Sequence, residues 1–212
     1  VNLEKELAQG ITELGLDLPS TAQQSLLHYL ALMKKWNRVY NLTAIRDPEQ
    51  MVTHHLLDSL AVAPHIWPGR WLDVGCGAGL PGLVLAIARP NCHFVLLDSN
   101  SKKTSFVQQA IIELKLKNAE VYCARAEEWK PKGPFDGIIS RAFAEGADFV
   151  TATRHLLAEG GRWVAMKGHL EHDVKALPAD VAVGQTITLQ VPGLKAARHL
   201  VILNIADRSK EA

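Results

Sequence analysis

Trp71-Leu72-Asp73-Val74-Gly75-Cys76-Gly77-Ala78-Gly79-Leu80-Pro81-Gly82 reads as a short buried strand that ends in an acid and runs into a glycine-packed turn. A strand that reverses sharply into a helix needs positive backbone dihedrals, and a ligand lying across such a turn leaves no room for a Cβ. Pro81 fits the first turn of the following helix, where its missing N–H costs nothing. Leu83, Val84, Leu85 and Ile87 supply the apolar face that packs that helix on a sheet. So many glycines together imply a nucleotide-type cofactor site rather than a plain strand-turn-helix.

Gly77-x-Gly79-x-x-Gly82, with Asp98 about twenty residues further on, also satisfies the dinucleotide fingerprint. Two details favour S-adenosylmethionine instead. The turn already begins at Gly75, and Asp73 stands just before it, where a methionyl ammonium would find a carboxylate and a diphosphate would gain nothing. Asp98, closing Phe94-Val95-Leu96-Leu97-Asp98, suits ribose hydroxyls under either reading.

Working outward, residues 3–15 and 21–40 carry apolar side chains at helical spacing, with Leu18-Pro19-Ser20 as the break and Ser20 as the expected N-cap. Asn41-Leu42-Thr43 ends the second helix. A further helix is expected from about Pro48 to Ala63, closed by Pro64 and the turn Trp67-Pro68-Gly69. Beyond Gly69, short β-rich runs alternate with helical ones, as in a parallel sheet covered on both faces. Strands are expected near 70–74, 93–98, 119–123, 135–140, 161–166, 185–191 and 199–205. The last two follow each other through Pro192-Gly193, which fits a final strand inserted antiparallel. The fold class is therefore α/β, a class I (Rossmann-like) methyltransferase arrangement with a mostly parallel seven-stranded sheet. Residues 1–66 form a helical N-terminal extension expected to contact RNA, and residues 67–212 the core. The charged tail 208–212 is expected to fray.

The 212 residues suffice for one domain with a substantial core, and 23 basic against 22 acidic residues leave a formal charge of +1. A uniformly basic surface is excluded, so any nucleic-acid site is a local patch. Three cysteines, Cys76, Cys92 and Cys123, are an odd number without paired metal-ligand spacing, and no signal-like segment opens the sequence given. Reducing cytoplasm is the expected location. Apolar runs stop well short of bilayer length, and a monomer is expected.

Between Leu18 and Arg46 stand four fixed cations, Lys34, Lys35, Arg38 and Arg46, and no carboxylate. Trp36 and Tyr40 share the same helix face. This is either an RNA contact or a solvated face with Trp36 anchored in the core. In His54-His55-Leu56-Leu57-Asp58, His55 and Asp58 have metal-compatible spacing but no third ligand; a hydrogen-bonded pair is the simpler expectation, and no metal is assigned. The fourth strand ends in Ser140-Arg141-Ala142-Phe143, at the sheet edge where open α/β folds bind ligands. Methylation of exocyclic base amines usually presents an Asn-Pro-Pro-Tyr type of sequence there. Pyrimidine C5 methylation needs a cysteine nucleophile beside a proline, whereas Cys123 lies between Tyr122 and Ala124. A ring nitrogen with an in-plane lone pair needs only positioning. Arg141 is placed to hold the acceptor edge of guanine or a phosphate, and Phe143 to stack on a base; the alternative for Arg141 is an ion pair with Asp136 or Glu145. Lys167, after Val164-Ala165-Met166, faces the same rim or is a plain surface lysine. Glu127 and Glu128 either border an adenine or open a helix.

Taken together, Lys35-Trp36-Asn37-Arg38-Val39-Tyr40-Asn41-Leu42-Thr43, His55-Leu56-Leu57-Asp58-Ser59, the glycine turn with Leu80-Pro81-Gly82, Leu97-Asp98-Ser99, Ser140-Arg141-Ala142-Phe143-Ala144, Met166-Lys167-Gly168 and Arg198-His199-Leu200-Val201 make the chain similar to the RsmG (GidB, glucose-inhibited division protein B) family of 16S ribosomal RNA guanine-N7 methyltransferases. The resemblance implies S-adenosylmethionine as cofactor and 16S rRNA or the small ribosomal subunit as partner. The family's cofactor contacts match Gly75, Leu80, Ala126, Glu127 and Arg141; with the turn and the second strand, the candidate cofactor residues are Asp73, Gly75, Cys76, Gly77, Gly79, Leu80, Asp98, Ser99, Ala126, Glu127 and Arg141. Candidate RNA contacts are Lys34, Lys35, Arg38, Lys102, Arg125, Arg141, Lys167 and Arg198, with Arg141 and Lys167 as the catalytic candidates. Cys76 stands where relatives often have threonine or serine, a change that leaves backbone contacts intact. The alternatives are methylation of another RNA position or a small molecule, an NAD-dependent oxidoreductase, and a non-catalytic RNA-binding module.

Overall fold

The computed structural model describes residues 2–168 and 176–206; the tail 208–212 lies outside them. Residues of β2 show why the sheet is buried on both faces. Phe94 and Leu96 belong to one hydrophobic cluster and Val95 and Leu97 to the other, the period-two alternation of a strand covered above and below. The strands are β1 (Arg70–Val74), β2 (His93–Asp98), β3 (Ala119–Cys123), β4 (Phe135–Ser140), β5 (Leu157–Lys167), β6 (Val181–Leu189) and β7 (Arg198–Ile205), in the spatial order β3-β2-β1-β4-β5-β7-β6. The first five are parallel, and β7 lies antiparallel between β5 and β6, as the closely spaced final strands suggested. Strand order turns from descending to ascending between β1 and β4, which creates the crevice where such sheets bind ligands.

One face carries α1 (Leu3–Glu13), α2 (Ser20–Tyr40), α5 (Gly82–Ala88) and α6 (Ser101–Glu113), all contributing to a single apolar cluster that includes Leu7, Tyr29, Leu83 and Phe106. The N-terminal extension thus shares its core with the sheet. The other face is covered by α7 (Gly146–Thr153), through Phe149 and Val150. Each fully buried large apolar side chain contributes roughly 1.5–3 kcal/mol. Among the described residues no helix is long and apolar enough to cross a membrane.

Local chemistry departs from the sequence expectation in three places. The cap position of α2 is occupied by Pro19, with Ser20 as the first helical residue and making no cap bond. Proline fixes its own φ near the value the entry needs, so the side-chain cap is dispensable. Pro81 likewise takes the cap position of α5, one residue before its first turn. The third helix runs as α3 (Pro48–Met51), a π-helical turn (Val52–Leu57) and α4 (Asp58–Leu60), followed by a 3₁₀ turn at Ala63–His65. A single helical periodicity cannot anticipate the extra residue in a π turn. Asn41 does end α2, in left-handed geometry with φ 49° and ψ 53°, a conformation that asparagine tolerates better than most residues.

Candidate active site at the carboxyl edge of the sheet

The turn after β1 is tied into the neighbouring strand. Gly75 and Cys76 both donate to Leu97 O, at 2.8 and 3.0 Å, and Gly77 donates to Asp98 Oδ2 at 2.9 Å. Gly75 and Gly77 have φ of 69° and 54°. A Cβ on Gly75 would stand 2.6 Å from Ala142 Cβ, whereas one on Gly77 would project into open space in the cavity it lines. Tyr29 of α2 is fully buried and donates to Ala78 O at 2.5 Å, so the N-terminal helix braces the same turn.

Asp73 does not reach that cavity surface. It is 0% exposed, and its Oδ2 accepts the Gly82 amide at 2.8 Å, which ties the end of β1 to the start of α5. Burial raises its carboxyl well above the ordinary range, against the opposing pull of the Gly82 bond. Direct approach of an ammonium, expected from its sequence position, would require the turn to open. Asp73 Oδ1 has no partner and is buried.

Three adjoining cavities run along the edge. The first, about 220 Å³, has apolar walls from Val74, Leu97, Ala126 and Phe143 and polar groups from Asp98 and Glu127. Ser99 and Arg125 also border it. Among these residues no helix begins at Glu127 or Glu128; they lie in a turn. The second, about 200 Å³, is floored by Gly75, Cys76, Gly77 and Leu80 and walled by Thr43, His55, Lys103 and Arg141. The third, about 290 Å³, is bounded by His55, Asp58, Arg141, Lys167 and Arg198. Gly75 joins the first two; Arg141 and His55 join the second to the third. Gly79 lines none of the three and serves the turn from behind, packed under Leu83.

This chain suits a nucleoside that carries a charged tail. Asp98 already accepts Gly77 N and Asn100 N, one bond on each oxygen; each oxygen retains acceptor capacity for a diol. A Cβ on Gly77 would intrude on the open space there, and the slot beside it is lined by the apolar Val74, Leu97, Ala126 and Phe143, which suits a flat base.

Arg141 finds neither Asp136 nor Glu145. Its Nη1 lies 3.6 Å from Oδ2 of Asp58; Asp136, near the start of β4 while Arg141 follows its end, accepts the Arg70 amide at 2.8 Å. The expected His55–Asp58 pair does not form. His55 Nε2 is 2.9 Å from Thr43 Oγ1, and Asp58 Oδ1 accepts from Arg198 Nε at 3.1 Å. Burial, and then the Arg141 charge, lowers the His55 pKa to about 4, so the imidazole is neutral at physiological pH. Lys167 is buried rather than a plain surface lysine, its ammonium donating to Phe143 O and Ala144 O at 2.7 and 2.8 Å. Phe143 is stacked on Phe149, 5.3 Å between centroids. Cys76 is buried, and burial with the nearby carboxylates holds its thiol protonated, while Cys123 lies exposed at the end of β3.

Arg125 is exposed and borders the first cavity, and Lys102 is exposed in the first turn of α6. Lys34, Lys35 and Arg38 are exposed on the last turns of α2, next to Val39 and Tyr40; Trp36 is anchored against Phe106 at 5.6 Å. Thr43, Lys103, His55 and Asp58 were not singled out as site residues by sequence reasoning. His55 and Asp58 drew attention through their spacing and, with Thr43, as parts of segments that carry the resemblance, but no site role was assigned to them, and nothing local marks Lys103.

The sequence pattern of the family described as "rRNA small subunit methyltransferase G" (GidB) matches residues 22–201. The chain is 52% identical over 206 residues to the ribosomal RNA small subunit methyltransferase G of Laribacter hongkongensis, covering 97% of this chain and all of that one. It is 53% identical over 201 residues to the protein of the same name from Methylobacillus flagellatus, covering 95% and 98%. Among solved structures, the O-methyltransferase TomG from Streptomyces achromogenes superposes with a TM-score of 0.55 at 16% identity, over 84% of this chain and 90% of that one, a likeness of fold that matches the class I methyltransferase architecture. By sequence pattern and by overall identity, the chain belongs to the rRNA small subunit methyltransferase G family.

Proposed function

We propose that the three cavities form one reaction path, on which S-adenosylmethionine-dependent methylation of guanine N7 in 16S rRNA takes place. When bound, this cofactor supplies an electrophilic methyl group on a sulfonium. Asp98 would accept the ribose hydroxyls, the slot of Val74, Leu97, Ala126 and Phe143 would take the adenine, with Ser99 and Glu127 at its polar border, and the floor of Gly75, Cys76, Gly77 and Leu80 would carry the methionyl arm. Asp73 acts from beneath by holding the Gly82 amide, and so fixes the turn. Arg141 stands between the second and third cavities, where donor and acceptor must meet. The catalytic roles of Arg141 and Lys167 are orientational. Arg141 aligns the incoming nucleotide, and Lys167 holds the loop of Phe143 and Ala144 that borders the donor.

The observation that carries this reading is the joint at Arg141 and His55, which holds neither of the tools that other base methylations need. Ser140-Arg141-Ala142-Phe143 offers no side-chain amide to accept an exocyclic amine, and Cys76 is held as a thiol, too weakly ionised to add to a pyrimidine ring. N7 already owns its lone pair, so alignment supplies most of the acceleration, and misplacement by about 1 Å can cost on the order of a hundredfold in rate.

Lys102, Arg125 and Arg198 would meet phosphate around this edge, with Lys34, Lys35 and Arg38 extending the contact along α2. An A-form major groove is too narrow for side chains, so N7 must come from an open or unstacked loop. The test is methyl incorporation into naked 16S rRNA and into 30S subunits, followed by borohydride and aniline. Strand cleavage at one guanosine supports the reading; a methyl on an exocyclic nitrogen, a ribose or a pyrimidine carbon overturns it. In the same assay Arg141→Ala should lower single-turnover methylation far more than RNA affinity.

A further inference from the structure

Asp58 is 4% exposed and follows directly on the π-helical turn Val52–Leu57. Its two oxygens face different elements. Oδ1 accepts from Arg198 Nε at 3.1 Å, at the start of β7, and Oδ2 lies 3.6 Å from Arg141 Nη1, after the end of β4. Arg198 Nη1 is further fixed on Ala197 O at 3.2 Å. Both guanidinium groups border the third cavity, which they share with Lys167. One carboxylate thus serves two arginines that border one cavity and leaves a net positive charge there. Turns of the π type recur at functional sites, and here the turn supplies His55, and the residue directly after it Asp58, to the cavity wall.

We propose that Asp58 is a positioning residue, holding Arg141 and Arg198 as a two-point clamp for the phosphodiester of the nucleotide to be methylated. The inference rests on the rRNA reading above and adds the device that aligns the substrate. A guanidinium offers a fork that matches phosphate oxygens in two parallel bonds, and its value depends on the fork being held in place. Freed from Asp58, each arginine keeps its charge but loses its direction. The clamp therefore predicts an effect opposite in sign to simple electrostatics. Removing a negative charge from an RNA-binding cavity should tighten RNA binding if charge alone mattered, whereas loss of a positioning carboxylate should weaken it.

The experiment measures RNA half-saturation, single-turnover rate and cofactor affinity for the parent, Asp58→Asn, Arg198→Ala, Arg198→Lys and the Asp58→Asn/Arg198→Ala double variant, with 16S rRNA or 30S subunits as probe. Asp58→Asn is expected to raise RNA half-saturation about tenfold, in line with truncating one partner of a buried charge pair, and to leave cofactor affinity unchanged. The double variant should lose less than the sum of the two single losses, since both changes break one unit. Arg198→Lys, which keeps the charge and loses the fork, should behave like Arg198→Ala. It also tests the clamp if Asp58→Asn proves unstable. Equal or tighter RNA binding by Asp58→Asn, additive losses in the double variant, or parental behaviour of Arg198→Lys would overturn the clamp. A parent that does not methylate rRNA at all would instead overturn the reading on which it rests.

Discussion

Asp98 Oδ2 accepts the Gly77 amide at 2.9 Å, so the acid at the end of β2 holds the turn that follows β1 as well as lining the first cavity. Two tasks on one carboxylate predict a graded response. Asp98→Asn retains an acceptor for the turn and should weaken S-adenosylmethionine by about 1.5–3 kcal/mol, the worth of a hydrogen bond to a charged group. Asp98→Ala should lose more, because Gly77 N and Asn100 N are left without their acceptor. Calorimetry on the folded variants decides it, and parental affinity in both would remove Asp98 from the cofactor site.

Ser140 is 2% exposed; its hydroxyl donates to Val74 O at 2.8 Å and accepts from the Ala142 amide at 3.0 Å. It joins the ends of β1 and β4 around Arg141. Ser140→Ala should cost about 1–3 kcal/mol of stability through the groups left unpaired. Single-turnover methylation should fall about tenfold as the Arg141 loop loosens. Urea unfolding and a rate measurement at saturating cofactor separate the two effects.

His55 links stability to pH. Its folded pKa is lowered from 6.5 to about 4, by burial first and by Arg141 second. The unfolded chain therefore takes up the proton first as pH falls. The stabilisation is complete above about pH 6.5, declines as pH drops toward about 4, and changes no further below that; its full size is about 3 kcal/mol. In His55→Asn the loss across this window should be smaller than in the parent by about that amount. Urea midpoints at several pH values test it, and parallel curves for the two proteins would exclude His55 as the titrating group.

Arg125 is exposed beside the first cavity and Lys102 is exposed in the first turn of α6, so their alanine variants should bind RNA more weakly at unchanged cofactor affinity. Each should lower the salt slope by about 0.7, the value for one phosphate contact on a single strand. Filter binding across a salt series provides the check, and an unchanged slope in both would make them ordinary solvated cations.

Much of the fold was legible in the chain because its signals are local. The unbroken apolar run Phe94-Val95-Leu96-Leu97 announced a strand covered on both faces, and the glycines from Gly75 to Gly82 announced the turn at the switch point. The close spacing of the last two strands foretold the antiparallel β7. Strand ends were less legible. β5 begins at Leu157 and β6 at Val181, four residues before the expected starts; Gly160 and Gly184 stand immediately before those expected starts and interrupt the side-chain pattern that marks a strand.

The candidate site divides along the same physical line. Residues whose role follows from backbone geometry or from their place at a strand end, namely Gly75, Gly77, Asp98 and Arg141, could be named from the sequence. Residues whose role depends on which side chains meet could not. Asp58 lies far from Arg141 and Arg198 along the chain, and only the fold, which brings it to the residue after β4 and the first residue of β7, makes it their common partner. Asp73 illustrates the converse: its position before the turn is plain in the sequence, but its burial beneath Gly82 is not. The sequence by itself determined the layers, the strand order signals and the ligand edge, because these arise from periodicity and backbone freedom. Only the tertiary structure decided which acid neutralises which base and which polar groups face a cavity, because electrostatics and burial act through space.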